Sequence, residues 1–183
     1  IRMELFEIIK NDNLVSVVSI LNDWELIELL DKGINVNKKY LRGLSWVNRI
    51  GGNLLLYLMK DSKNPEITYK RFYINSKEKK ILTDFLNLKN TLSINSNEFI
   101  EFSPSNWTKF IEEHNFDIET IKLIISEGGI FWKSFFRWLF VYRFIKSKKD
   151  GEALKKEGWQ PGEEMGNEIK RLRYLEIDKI SKK

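Results

Sequence analysis

Gly158, Pro161, Gly162 and Gly166 fall within nine residues, directly ahead of a helical pattern that carries Lys170 and Arg171. Proline fixes its φ and has no N–H to lose, so it suits the first turn of a helix. Glycine has no Cβ, so another backbone can approach it closely. A helix start of this kind exposes backbone N–H groups and the positive end of the helix dipole, with cations one or two turns along. That chemistry binds phosphate. The same glycines also suit tight packing between two helices. Glu163 and Glu164 stand at the helix start, where they satisfy the dipole and repel a phosphate. On sequence, both readings stay open.

A second candidate is the run Lys146, Lys148, Lys149, Lys155 and Lys156, which reads either as a solvated loop or as a set of phosphate contacts. The stretch FWKSFFRWLFVYRF offers aromatics for stacking on bases, but they recur on all faces, which marks a central core helix. Lys133, Arg137 and Arg143 cannot share one face, so at least one arginine is expected to meet a buried acid. Asp61, Glu66, Asp84, Glu112 and Glu113 are scattered over polar faces with no pair placed for acid–base work. His114, the one histidine, sits at a helix end as a capping or exposed residue. With no cysteine, disulfides and Cys-based zinc sites are excluded.

These residues sit on helices throughout. Ile8 and Ile9 follow Met3 and Leu5 in a short amphipathic segment, and NLVSVVSILNDWELIELLDKG gives two helices pinched at Asn22-Asp23, with Gly33 as a C-terminal cap. KKYLRGLSWVNRI and NLLLYLMK are separated by Gly51-Gly52. Ser76 is expected to cap a helix burying Ile81, Leu82, Phe85, Leu86 and Leu88. Ser103-Pro104 and Asp117 open two more, the second stopping at Gly128-Gly129. Met165, Ile169, Leu172 and Leu175 form the apolar stripe of the last helix, with Lys170 and Arg171 outward. Only LSINSNEFIEF tempts a strand, and the expected class is all-α.

The 183 residues suffice for one domain or two small ones. The net charge is +5, and residues 117–183 carry 15 Lys/Arg against 11 Asp/Glu, while residues 1–116 are nearly balanced at 16 against 15. A basic C-terminal third suits a nucleic-acid partner, and a composition biased to Lys, Asn and Ile yields the same excess. The most apolar stretch is broken by Lys133, Arg137 and Arg143, well short of the ~20 residues of a membrane span. The expected location is cytoplasmic. The chain starts on Ile1, which reads as a piece of a longer polypeptide.

The C-terminal motif resembles the last region of the bacterial class II tRNA nucleotidyltransferase / poly(A) polymerase family. That region has a G-x-D-L segment, a lone glycine, then P-G-x-x-x-G opening a helix. Gly151 and Leu154 match the first segment, Gly158 the lone glycine, and Pro161, Gly162 and Gly166 the helix start; Glu152 and Ala153 depart from the usual basic-acidic pair. The N-terminal IRMELFEIIK is similar to the family's R-x-x-E-L-x-x-I-L neck motif, with Arg2, Glu4, Leu5, Ile8 and Ile9 in its positions. The middle matches only in being helical.

The resemblance implies a neck-like segment over residues 1–60 and a body- and tail-like region over 61–183, in a multi-helical array. It implies a tRNA partner, held by backbone contacts from Lys148, Lys149, Lys155, Lys156, Gly158, Gly162, Lys170 and Arg171. The parent activity would add nucleotides to the tRNA 3′ end, with Mg²⁺ and ATP or CTP bound by a catalytic head. A poly(A) polymerase acting on other RNA 3′ ends, or a helical interaction module without RNA, are the alternatives. The head's G-S turn and D-x-D carboxylate pair, which would hold the metal ions, do not occur in this sequence. The chain alone is therefore predicted to incorporate no labelled nucleotide into tRNA with Mg²⁺, ATP and CTP supplied. Incorporation above background would show that the catalytic centre has been mislocated.

Overall fold

The computed structural model describes residue 7 and residues 14–181, and every regular element among them is helical. The chain is all-α, as its periodicity predicts. Arg2, Glu4 and the rest of the expected N-terminal neck motif lie outside the described residues. In chain order the α-helices are α1 (Leu14–Asp23), α2 (Leu26–Leu30), α3 (Lys38–Arg49), α4 (Leu54–Met59), α5 (Pro65–Arg71) and α6 (Ser76–Ile94). They continue as α7 (Ser96–Ile100), α8 (Pro104–Glu113), α9 (Ile118–Glu127), α10 (Trp132–Phe140), α11 (Gly151–Lys156) and α12 (Glu163–Ser181), with a 3₁₀ turn at Tyr142–Phe144. The LSINSNEFIEF stretch is helical, divided between α6 and α7.

Packing divides the chain into two units. One holds the residues up to Ile94 with Phe116–Trp132; the other holds Asn95–Asn115 and the residues from Lys133 on.

Caps explain most helix starts in the first unit. Asn37 accepts from the Tyr40 N–H at 2.9 Å and Asn53 from the Leu56 N–H at 3.2 Å. Asp117 accepts from the Glu119 N–H at 2.9 Å, as expected. At α6 the cap is Asn75 rather than Ser76: Asn75 and Glu78 exchange side-chain-to-backbone bonds of 2.9 Å, a capping box. Leu86 leaves the expected apolar face and is 42% exposed, whereas Ile81, Leu82, Phe85 and Leu88 are buried. The break between α1 and α2 falls at Trp24-Glu25, where Glu25 takes φ 59°, rather than at Asn22-Asp23. Gly33 is not a cap. A Cβ there would lie 2.5 Å from the Asp61 carbonyl oxygen, so the glycine admits a backbone crossing. Asp31 holds that crossing by accepting from the Gly33 N–H at 2.6 Å, Thr68 Oγ1 at 2.6 Å and Ser62 Oγ. Burial pushes its carboxyl up, and these hydrogen bonds more than offset that, leaving it below its usual range.

The core of this unit is α9 crossing α3 and α6, with Ile121, Leu123, Ile124 and Ile125 buried. All six residues of α4 are buried too. Gly43 makes the α3–α9 crossing possible, since a Cβ would fall 2.6 Å from the Ser126 carbonyl oxygen and 2.2 Å from the Tyr57 hydroxyl. Beside it, the Lys60 ammonium is buried over the rings of Tyr57 (4.9 Å) and Tyr40 (5.5 Å), paired with Asp61 and with Glu127 at 2.9 Å. Lys39 and Lys89 also reach Glu127, each at 3.1 Å.

The second unit is built on α8 and α12. Ser103 caps α8 as expected, accepting from the Asn106 N–H at 3.2 Å. Phe99, Phe102, Trp107 and Phe110 form one aromatic cluster, extended to Phe135. The aromatic stretch of α10 is not enclosed on all sides: Phe135, Trp138 and Leu139 are buried, while Phe140, Val141 and Phe144 are exposed. The helix ends at Phe140, so i, i+3, i+4 spacing gives it a single core face. Neither Arg137 nor Arg143 pairs with an acid among the described residues. A half-buried ion pair comes instead from α12, where Arg173 grips Glu112 through two hydrogen bonds of 2.7 and 2.8 Å. His114 closes α8 as a capping residue, its Nδ1 2.8 Å from the Phe110 carbonyl oxygen.

Burial raises the Glu127 carboxyl, but the Lys60 charge and hydrogen bonds from Lys60, Lys39 and Lys89 outweigh it and hold the pKa at about 2, against an ordinary 4.5. Its contribution to stability is complete above pH 4.5 and lost as pH falls from 4.5 through 2. Glu127→Gln is expected to cost about 2 kcal/mol at neutral pH, less than a fully broken buried pair because Asp61 still faces Lys60. It should also flatten the acid limb of a stability–pH curve measured by urea unfolding. An unaltered acid limb in the variant would show that Glu127 is not the titrating group.

Candidate nucleic-acid interface

The glycine-rich stretch resolves into two helices with explicit caps. Asp150 caps α11 by accepting from the Ala153 N–H at 2.8 Å. The helix ends in a Schellman turn: the Gly158 N–H meets the Lys155 carbonyl at 3.0 Å and the Trp159 N–H meets the Leu154 carbonyl at 3.1 Å. Gly158 takes φ 97°, which the turn requires, so its place has a local explanation.

Pro161 lies in the turn before α12 rather than in its first helical residue. Gly162 is the N-cap, since its carbonyl accepts the Gly166 N–H at 3.1 Å. Glu163 and Glu164 then fill the first turn of α12. They place negative charge at the helix start, where a phosphate would otherwise bind.

Helix packing, one of the two readings open for Gly166, is not what the described residues show. A Cβ built on Gly166, or on Gly162, meets no atom of the described residues within 4 Å beyond its chain neighbours and the helix's own backbone. Neither has the positive φ that demands glycine. The start of α12 packs on α11, with Met165 near Gly151. Its contacts with α8 lie further along, at Arg173 on Glu112 and at Asp178 on the Ser105 hydroxyl (2.7 Å), beside the fully buried Ile177. Leu175, expected in the apolar stripe, is 43% exposed, and Ile177 takes the buried place. Gly166 and Lys170 are one turn apart on one face of α12.

The expected cations divide into two groups. Lys148 pairs with Glu176 at 3.3 Å, Lys149 with Glu157 at 2.8 Å, and Arg171 with Glu168 through two bonds of 2.7 and 2.8 Å. The Arg171 bonds hold the Glu168 carboxyl below its usual range. Lys155, Lys156 and Lys170 are exposed and have no ion pair among the described residues. With Lys146, likewise exposed and without an ion pair among the described residues, these three are the cations of this stretch free to meet a polyanion.

No protein-family model, curated protein or solved structure matches this chain. Among the described residues no helix is long and apolar enough to cross a membrane.

Sequence reasoning missed Arg173, whose position among the apolar residues of α12 was the available signal. It also missed α3, where KKYLRGLSWVNR carries four cations and no acid.

Gly166→Ala is expected to raise stability by about 0.5–1 kcal/mol, since a helix-interior glycine is disfavoured by that amount and the added methyl meets open space. Chemical denaturation measures it. A loss of stability would mean that Gly166 packs against something in solution.

Proposed function

We propose that the chain is the tRNA-binding helical region of a nucleotidyltransferase that adds nucleotides to the tRNA 3′ end. The observation that supports the reading is Gly166. Among the described residues it has no neighbour to offset the cost of a glycine in a helix, and it stands one turn from Lys170, which has no ion pair there. An RNA backbone lying across this face supplies what the protein itself does not: a close neighbour for the glycine and phosphates for Lys155, Lys156 and Lys170. The order of motifs along the chain, from Gly151 and Leu154 through Gly158 to Pro161, Gly162 and Gly166, supports the same family reading.

The RNA path runs along the side of α12 rather than at its start, because Glu163 and Glu164 already occupy the first turn. Contacts of this type position an RNA without reading its sequence. Mg²⁺ and ATP or CTP belong to the catalytic head that the resemblance implies. No described residue is given a role toward them.

Replacing Lys155, Lys156 and Lys170 together with alanine is expected to weaken tRNA binding and to lower the log–log salt slope by about 1 for each phosphate no longer neutralised. Gly166→Ala should weaken tRNA binding while the protein becomes more stable, a combination that unfolding cannot produce. Both are read by filter binding across a salt series, beside melting curves. If the triple variant keeps the wild-type affinity and slope, the α11–α12 surface is not where tRNA binds.

A further inference from the structure

α3 presents a second surface of different character, in the first unit. Lys39, Arg42, Trp46 and Arg49 are spaced i, i+3, i+7 and i+10, which sets them on one helix face, while Tyr40, Gly43, Leu44 and Val47 turn inward. Two hollows, of ≈ 540 and ≈ 390 Å³, both have Arg42 and Trp46 in their walls. The larger is completed by Arg49 with Val15, Leu41 and two serines; the smaller by Gly128, Gly129 and Trp132. The Trp46 and Trp132 rings are 5.7 Å apart and tilted by 50°, and the Arg49 guanidinium lies 5.6 Å from the Trp46 ring centre.

Among the described residues the charge of this surface is one-sided. Arg42 and Arg49 are exposed and have no ion pair there. Glu127 is the one carboxylate among the described residues lining either hollow, and Lys39, Lys60 and Lys89 already neutralise it. Arg42 and Arg49 are about 10 Å apart along the helix axis, with Trp46 between them. Cation, aromatic face, cation is the order in which a single strand offers phosphate, base, phosphate. An acidic peptide would answer the arginines and leave the indole unused. A membrane surface would call for protruding apolar side chains, and both tryptophans are half-buried.

We infer that the α3 face binds a single-stranded RNA segment, with Arg42 and Arg49 on its phosphates and a base against Trp46 beside Trp132. The choice of RNA rests on the function proposed above, but the surface is separate from α11–α12. It gives the chain a site for an unpaired strand in addition to one for a folded RNA backbone.

Fluorescence anisotropy of a short labelled oligoadenylate tests this on the full chain. Arg42→Ala with Arg49→Ala should weaken binding on the order of tenfold and lower the single-strand salt slope by about 1.4. Trp46→Leu should weaken it on the order of tenfold and Trp46→Phe much less, because only phenylalanine keeps a stacking face. The arginine variants are exposed substitutions, so they decide the matter even if Trp46→Leu unfolds the protein. An unchanged affinity and slope in the double arginine variant overturns the inference, as does a labelled polyglutamate peptide that binds as tightly as the oligoadenylate. The Lys155/Lys156/Lys170 variant keeps the two readings apart. If it alone loses tRNA and oligoadenylate, the α3 site is refuted and the proposed function stands; if only the arginine variant loses either ligand, the α11–α12 surface is refuted and the α3 site stands.

Discussion

The buried ammonium of Lys60 is the constraint on which the first unit depends. It follows directly on α4, lies over the rings of Tyr40 and Tyr57, and meets Asp61 and Glu127. A charge so enclosed needs its partners in place, and those partners come from α3, α4 and the end of α9. The Tyr57 hydroxyl, donating to the Tyr40 carbonyl at 2.9 Å, is enclosed by the same crossing, and burial pushes its ionisation far up. Such an arrangement specifies one geometry more than it stabilises it, since apolar residues of equal volume would cost no desolvation. What it specifies is where α9 ends. From Glu127 the chain leaves through Gly128 and Gly129, at φ 78° and 86°, and reaches Trp132 beside Trp46. The hollow next to α3 is therefore a consequence of the Lys60 cluster.

The glycines separate cleanly by physical cause. Gly33 and Gly43 are imposed by crossings in which a Cβ would overlap backbone oxygen. Gly158 is imposed by a left-handed helix end. Gly162 is tolerated as an N-cap, a position where glycine serves nearly as well as a polar residue. Gly166, like Gly162, has neither a crowding neighbour nor a special backbone angle, and it stands inside the helix, where no capping position accounts for it. A residue that the folded chain does not require directs attention to what lies outside the chain.

Charge sorts in a similar way. In the C-terminal third Lys148, Lys149, Arg171 and Lys179 each face a carboxylate, while Lys133, Lys146, Lys155, Lys156 and Lys170 have no ion pair among the described residues. Exposed pairs of this kind contribute little to stability, but each removes a cation from the set available to a partner. The more one-sided surface is on α3, in the part of the chain where total charge is nearly balanced. Net charge by segment reports composition, and the field a ligand meets depends on which cations have no local acid.

Sequence alone determined the helical class, the caps at Ser103 and Asp117, the stop at Gly128-Gly129 and the separation of α3 from α4 at Gly51-Gly52. Each is set by residues within a turn or two, where propensity and capping chemistry act directly. It also marked the stretch from Gly158 to Gly166 as unusual. Only the tertiary structure decided which of its glycines is accounted for, because the test is what a Cβ would touch, and those atoms belong to residues far along the chain. For the same reason the partners of Lys60 and Arg173 were beyond sequence reasoning: Glu127 is 67 residues from Lys60 and Glu112 is 61 from Arg173. The rotation of α3 was partly legible, since its cations at i, i+3 and i+10 can be counted. That this face opens on two hollows and a second tryptophan was fixed by long-range packing, which sets the neighbours of each helix face where local spacing can set only the face itself.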